Sequence, residues 1–282
     1  GRNPGSATGN ADFGYINGDY PAKSIVDRID YSNDTATAAV KGPLTVTVYG
    51  RGATGNSSFG YFGGGTGSPG PTIATVDRID YSNDTATASV KGPLSVARYQ
   101  LTATSSRANA ILTENIINYA AGTLATPNTG YFAGGRTTPA LSTVERIDYS
   151  NDTATASVRG QLNTAQLFAA ATGNSSFGYH GGGGPYNAQK SSVDRIDYLN
   201  DTATAVAKGP LSVARSELAA TGNASFGYFG GGETKSTVDR IDYSNDTATA
   251  AAKGPLNTTR WGNGATGNAN FGYFGGGASR SS

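Results

Sequence analysis

Repetition dominates this chain of 282 residues. The string V-D-R-I-D-Y-S-N-D-T-A-T-A begins at Val26, Val76 and Val238, and recurs with one change each at Val144 (Glu145 for Asp) and Val193 (Leu199 for Ser). A second string, T-G-N-x-x-F-G-Y-F-G-G-G, precedes it at 54–65, 172–183, 221–232 and 266–277, with weaker copies at 8–18 and 126–135. A third, K-G-P-L-S-V-A-R or a variant, follows at 41–48, 91–98, 159–166, 208–215 and 253–260. A period of about 45–50 residues is the mark of stacked units that bury their faces against one another.

Each repeat reads as four short extended segments. Segment a is L-A-A-T-G-N, and segment b is the aromatic F-G-Y-F-G-G-G. Segment c is V-D-R-I-D-Y, and segment d is T-A-T-A-A-V-K-G. Gly, Asn, Asp and Pro bound each of them. S-N-D-T between c and d predicts a tight turn, because Asn and Asp bond nearby backbone and tolerate left-handed conformations. Four strands per unit of this length predict an all-β propeller with four-stranded blades. In segment c, Val26, Arg28 and Asp30 share one face, and Asp27, Ile29 and Tyr31 the other. The recurrence of Arg28 and Asp30 predicts a ring of paired, partly buried charges between blades, which fixes register more than it adds stability.

The blade count is five or six, since the chain holds five c–d pairs and six a–b pairs. The ring then closes by a strand exchange between the termini, or the chain is cut from a longer array. The opening G-R-N-P-G-S, without Met, points to a processed or excised chain. An insert at 101–128 lengthens one unit. Within it N-I-I-N-Y-A-A-G-T-L-A-T echoes segments c and d, so it reads as a decayed blade, a long loop, or a short helix around 111–119.

The order of these signals resembles the kelch repeat. A kelch blade has an aromatic strand ending in a Gly doublet, here 226–232, and a V-x-x-Y-D-like strand, here 238–243. A turn follows, here 244–247, and a P-x-x-x-R-like segment, here 210–215 of the preceding unit. The resemblance covers nearly the whole chain five times. It departs where kelch repeats place a Trp after the c–d turn, since Thr-Ala-Thr stands there. What it implies is a single, divergent kelch-like β-propeller domain over 1–282. The near-identical arrays are also similar to tail-fibre and decoration appendages of marine bacteriophages such as cyanophages. That resemblance implies a non-enzymatic virion structural or attachment protein at the particle surface, with other virion proteins and a host-surface glycan as partners. The alternatives are a cellular or secreted kelch-type interaction domain and a carbohydrate-active enzyme.

Composition removes several other functions. Lys and Arg number 21 against 20 Asp and Glu, so the chain lacks the basic footprint of a nucleic-acid binder. No apolar run approaches 18 residues, so no membrane insertion is expected. With no Cys and a single His, thiolate zinc sites and multi-histidine metal sites fall away, and no metal or cofactor is expected. A galactose-oxidase-type copper site, which needs a Tyr–Cys crosslink and two His, fails on the same count. The single His, His180, stands where other copies carry Phe and reads as a packing substitute. The D-x-x-D-x-x-N-D runs lack the tight loop of a calcium site. Arg and Asp recur equally in every unit, whereas a catalytic site should break the symmetry, so no catalytic residue is expected.

The strand order sorts the connections. The a–b and c–d turns share one face and are nearly uniform. The b–c and d–a connections share the other face and carry the variation, and the insert and Trp261 are expected with them. Binding residues usually sit on loops held by a rigid scaffold. On the varied face Tyr20, Lys23, Arg136, Tyr186, Gln189, Lys190, Lys235 and Trp261 supply aromatic platforms and donors suited to a sugar.

Overall fold

The computed structural model describes residues 5–18, 21–105, 128–185 and 187–278, and among them the regular structure is almost entirely β. Blade 1 comprises β1 (Ser6–Gly9), β2 (Phe13–Asn17), β3 (Val26–Asp30) and β4 (Ala39–Lys41). Blade 2 comprises β5 (Gly52–Gly55), β6 (Phe59–Gly63), β7 (Val76–Asp80) and β8 (Ser89–Lys91). Blade 3 comprises β9 (Tyr99–Ser105), β10 (Thr129–Arg136), β11 (Thr143–Asp148) and β12 (Ser157–Gln161). Blade 4 comprises β13 (Ala170–Gly173), β14 (Phe177–Gly181), β15 (Val193–Asp197) and β16 (Val206–Lys208). Blade 5 comprises β17 (Ala219–Gly222), β18 (Phe226–Gly230), β19 (Val238–Asp242) and β20 (Ala251–Lys253). A two-stranded sheet follows, β21 (Trp261–Gly267) with β22 (Gly272–Ala278).

Within each blade the strands pair antiparallel in sequence order. The first strands stand side by side around an axis in the order β1, β5, β9, β13, β17, β21 and back to β1. The fold is therefore a β-propeller of five four-stranded blades, with β21 and β22 occupying a sixth sector. Among the described residues no strand is exchanged between the termini. Closure comes instead from β1 lying against β21, where Gly5 N–H donates to Gly262 O at 2.6 Å.

The A-T-G core of segment a explains the tight axis. Ala7, Ala53, Ala103, Ala171, Ala220 and Ala265 line the axial channel, which only a methyl side chain allows to be so narrow. The adjoining Thr points between blades. Thr8 Oγ1 donates to Thr54 O (3.1 Å), Thr54 Oγ1 to Thr104 O (2.7 Å) and Thr266 Oγ1 to Thr8 O (3.4 Å). The a–b turns are pinned by Asn: Asn56 Oδ1 accepts from the N–H groups of Ser58 and Phe59, both at 2.8 Å. Asn10, Asn174, Asn223 and Asn268 repeat the device.

Two expectations need correction. Leu101–Ser105 of the expected insert belong to strand β9, because L-T-A-T aligns with the axial A-T-G segment. The remainder of the insert connects β9 to β10, so it leaves from the uniform face rather than the varied one. Its expected blade or helix lies outside the described residues. Segment d also shrinks to three residues in most blades, since Thr-Ala-Thr belongs to the turn.

The second correction concerns the charge ring. It exists, but Asp30 is not the partner of Arg28. Asp30 and its copies cap their own turn: Asp80 Oδ1 accepts from Ser82 N (2.9 Å) and Oγ (2.7 Å). The partner is the Asp of N-D-T in the next blade. Asp84 accepts from Tyr15 Oη (2.9 Å) and Arg28 Nη1 (2.8 Å) and pairs with Lys41 Nζ (3.1 Å). Asp152 takes Tyr61, Arg78 and Lys91, and Asp246 takes Tyr179, Arg195 and Lys208. Asp201 takes Tyr131, Arg146 and Arg159. Each donor Tyr also stacks on the Tyr that opens the next blade's turn, as Tyr15 does on Tyr81 with ring centroids 4.7 Å apart. In every blade but the third, where Thr129 replaces the Phe, the Arg lies over the Phe of its own blade, as Arg28 does over Phe13 at 4.2 Å. The same K-G-P segment donates Gly42 N–H to Asp84 O (2.8 Å), and a Cβ at Gly42 would overlap the Ala86 carbonyl oxygen.

Burial opposes ionisation of Asp84, Asp152 and Asp246, but the Tyr, Arg and Lys donors outweigh it and hold these carboxyls below the usual range. Asp152→Ala will lower stability by about 3 kcal/mol, because it strands Tyr61, Arg78 and Lys91 together. A carboxyl with a depressed folded pKa contributes its stability above the unfolded value, about 3.9, and loses it as pH falls through the folded value. The gap between wild type and variant in guanidinium unfolding will therefore hold from pH 7 to about 5 and close at lower pH.

Candidate functional site

Segment c carries a second carboxylate, and the structure buries it. The P-L-S-V-A-R segment of one blade reaches over the acid of the next. Ser95 N–H donates to Glu145 Oε2 (2.6 Å) and Arg98 pairs with Oε1 (2.9 Å). Ser212 and Arg215 do the same to Asp239, and Thr45 and Arg51 to Asp77. Arg98, Arg215 and all three acids are fully buried. Burial pulls the guanidinium groups of Arg51, Arg98 and Arg215 down, and the facing carboxylate opposes it. These are structural pairs, repeated by the fold.

Blade 4 breaks the repeat twice. Gln166 stands at the position of Arg98, Arg215 and Arg260, and unlike Val48 of the first repeat it has no Arg51 beside it to take over, so Asp194 is buried opposite an amide. Thr164 N–H and Gln166 Nε2 approach its Oδ2 at 3.4 and 3.5 Å, and Oδ1 makes no hydrogen bond among the described residues. Burial pushes the Asp194 carboxyl up, against the pull of the Thr164 and Asn163 N–H groups and of Lys190. Directly across the β14–β15 ladder lies His180, also fully buried. Its Nδ1 sits 2.6 Å from Thr102 Oγ1 of blade 3, and burial drives its pKa down to about 3, leaving it neutral.

Together these groups look like a seed for acid–base chemistry, but no substrate can reach them. Neither His180 nor Asp194 lines any of the four principal cavities. His180 fills the slot that Phe62, Phe132 and Phe229 fill elsewhere, and Thr102 replaces the Gly52 that faces Phe132. The pair is a polar substitute for a Gly–Phe contact, as the sequence predicted for His180. The Gln166–Asp194 exception was visible as Gln where three of the other four repeats carry Arg, but its meaning needed the acid from the next blade. Among the described residues no group of three or more His, Cys, Asp or Glu is placed to hold a metal ion. Asp30 and Asp34 of the D-x-x-D-x-x-N-D run serve Ser32 and Tyr273 instead.

The axial channel offers no ligand site either. Its two ends hold about 70 and 80 Å³, room for a few waters against the roughly 300–1,000 Å³ of small-molecule pockets. A ring of backbone bonds narrows the end on the varied face: Gln100 N–H donates to Gly50 O, Phe168 to Gln100, Glu217 to Phe168 and Gly262 to Glu217. All of these residues have positive φ, between 56° and 69°.

The residues expected to bind a ligand are distributed around the rim of the varied face. Lys23 and Lys235 are exposed, at the b–c connections of blades 1 and 5. Arg136 ends β10 and lies 5.5 Å over the Tyr99 ring. Gln189 and Lys190 are half-buried in blade 4, where Lys190 Nζ donates to Ala165 O at 2.7 Å. Trp261 opens β21, opposite Ala278. Tyr20 and Tyr186 lie outside the described residues. None of the six described side chains lines a principal cavity. No protein-family model and no curated protein matches the chain.

Two outcomes follow from blade 4. Gln166→Arg will raise stability at pH 7 by about 1–3 kcal/mol by giving Asp194 its missing partner. Because a raised carboxyl pKa penalises the folded state at neutral pH, the gain will shrink as acidification neutralises Asp194; urea midpoints from pH 7 to 4 measure it. A buried neutral His acts in the opposite sense, since the unfolded chain takes up its proton first and stability falls below about pH 6.5. The double variant Thr102→Gly, His180→Phe will unfold with a shallower loss between pH 6.5 and 4 than wild type.

Proposed function

We propose that the protein is a non-enzymatic structural and attachment module of a virus particle, a kelch-like propeller that presents its varied face to a host-surface glycan or to another virion protein. The observation that carries this reading is the contrast between the two faces. The c–d connections have one length in all five blades: 31–38, 81–88, 149–156, 198–205 and 243–250. The b–c connections range from 137–142 to 64–75 and, past the Gly pair that opens three of them, have no common motif. One face is held constant by the Asp contacts between blades, while the other is free to vary on the same rigid scaffold.

Two further points support a binding rather than a catalytic role. The Asp194 carboxyl, His180, Arg98 and Arg215 are enclosed in blade interfaces and line none of the principal cavities. The exposed donors are spread around a rim, an arrangement suited to a shallow, extended partner such as a polysaccharide chain. The virion assignment rests on the resemblance of the repeats to phage appendages.

The test is binding to envelope polysaccharides of candidate host cells on a glycan array, with labelling of particles seen by electron microscopy. Reversing two exposed charges, Lys23→Glu with Lys235→Glu, is expected to weaken glycan binding at least tenfold while the melting temperature stays unchanged. Turnover of a glycoside by the wild type, or binding indifferent to these changes and to loop replacement, would overturn the proposal.

A further inference from the structure

The sixth sector is half a blade, and the surfaces around it are shaped for the missing half. Among the described residues β22 pairs only with β21, so the edge that every other second strand offers to its third is open. The rim of this opening holds a complete set of repeat contacts without their counterparts. On the blade 5 side stand Tyr228, Arg240 and Lys253, the equivalents of Tyr15, Arg28 and Lys41. Tyr228 is half-buried, whereas Tyr15, Tyr61, Tyr131 and Tyr179 are fully buried under a stacked Tyr. Lys253 is exposed, and Arg240 lies over Phe226 at 4.4 Å with no carboxylate of the described residues in salt-bridge range. A cavity between Thr221, Tyr228 and Phe274 occupies the place where the next blade's Tyr ring enters elsewhere.

On the blade 1 side, Asp34 is exposed and receives Tyr273 Oη alone (3.0 Å), where Asp84 receives Tyr, Arg and Lys. Phe271 is 62% exposed, while Phe13, Phe59 and Phe177 are half-buried, each under an Arg at 4.2 Å. Arg260, in the position of Arg98 and Arg215, turns to Gly276 O (3.0 Å) instead of a carboxylate. The glycines are the sharpest sign. A Cβ at Gly42, Gly92, Gly160 or Gly209 would overlap a carbonyl oxygen of the next blade's T-A-T segment, whereas a Cβ at Gly254 would meet nothing within 4 Å. Gly254 has the repeat's close-approach residue without the approaching chain.

We infer that the sixth sector is a strand-accepting site whose occupant is a β-hairpin of this repeat's own pattern, V-D-R-I-D-Y-x-N-D-T followed by A-x-K. The chemistry matches point by point. The first strand adds to the edge of β22 in the register of β19 on β18. Its Arg covers Phe271 and, with the hairpin's Lys, meets Asp34. Its first Asp meets Arg260. The turn Tyr stacks on Tyr228, and the turn Asp takes Tyr228, Arg240 and Lys253. An unrelated edge strand would satisfy the backbone but none of these side chains.

A synthetic peptide with the sequence of residues 238–254 is the probe, added to the full chain. The expected result is saturable one-to-one binding, a change in the fluorescence of Trp261, and slowed amide exchange along Gly272–Ala278. Replacing the peptide's turn Asp by Ala should weaken binding at least tenfold. In the protein, Gly254→Ala should leave the melting temperature unchanged, because its Cβ enters open space, yet reduce peptide affinity at least tenfold. Gly209→Ala, by contrast, should destabilise the free chain. No binding at millimolar peptide with unchanged exchange in β22 would overturn the inference. So would binding indifferent to Gly254→Ala, or a dimer through paired β22 edges that the peptide does not dissociate.

Discussion

One carboxylate per blade holds the ring together. The Asp of N-D-T reaches back to a Tyr, an Arg and a Lys of the preceding blade, and its own backbone carbonyl takes the N–H of the glycine after that Lys. A sheet of three to five residues per strand is marginal by itself, and a blade with small residues on both faces buries little apolar area. Charge-assisted bonds in a half-buried seam supply direction as well as attraction. They fix the distance and rotation of one blade against the next, and with that the spacing of every strand from the axis. The constant length of the c–d connection follows, because the Asp must sit where three donors converge.

The axis imposes the complementary constraint. Six first strands meeting at a narrow channel leave room for a methyl group and no more, so Ala is set at one position, with Thr beside it to hydrogen-bond the adjacent strand. The backbone ring at the varied end forces left-handed conformations on Gln100, Phe168 and Glu217, which cost about 1–2 kcal/mol each for a side chain with a Cβ. That cost is offset by closing successive N–H and C=O groups around the mouth of the channel. Low content of large aliphatic residues is thus a result of the architecture, not a sign of disorder.

Much of this was legible in the sequence. Strand number, blade count to within one, turn positions and the separation into uniform and varied faces follow from the repeat and its Gly, Asn and Asp punctuation. The exchange of Asp30 for Asp84 as the partner of Arg28 was not legible. Alternation places Arg28 and Asp30 on one face, but it says nothing about which residue of the next blade lies opposite. The side of the insert was missed because L-T-A-T lacks the glycine that marks the other first strands. Of the expected binding residues, the sequence placed Lys23 and Lys235 correctly at exposed connections. Lys190 could not be anticipated, since its bond to Ala165 O depends on the path of the preceding blade's loop.

Near-identical repeats carry a hazard that the deviations in blades 3 and 4 address. When every blade presents the same seam, any blade can dock on any other, and the chain can close in a wrong order. Thr102 and His180 make one seam unlike the rest. Setting His180 against Gly52 would strip the bond at its Nδ1 and leave a buried nitrogen unpaired, while a Phe against Thr102 would crowd the hydroxyl and take away its partner across the seam. Glu145, one methylene longer than the Asp in other blades, is matched by Arg98 at 2.9 Å, and Asp194 by Gln166 rather than Arg. The Thr102–His180 pair is compatible with its own neighbour and costly against the others, whereas the Gln166–Asp194 pair is costly in place and gives no such discrimination. The same logic makes the sixth sector selective. Its surroundings are the unmodified repeat, with Arg240, Lys253 and Asp34 in their ordinary places, so the strand pair that suits it best is the commonest form of the repeat rather than the altered copies of blades 3 and 4.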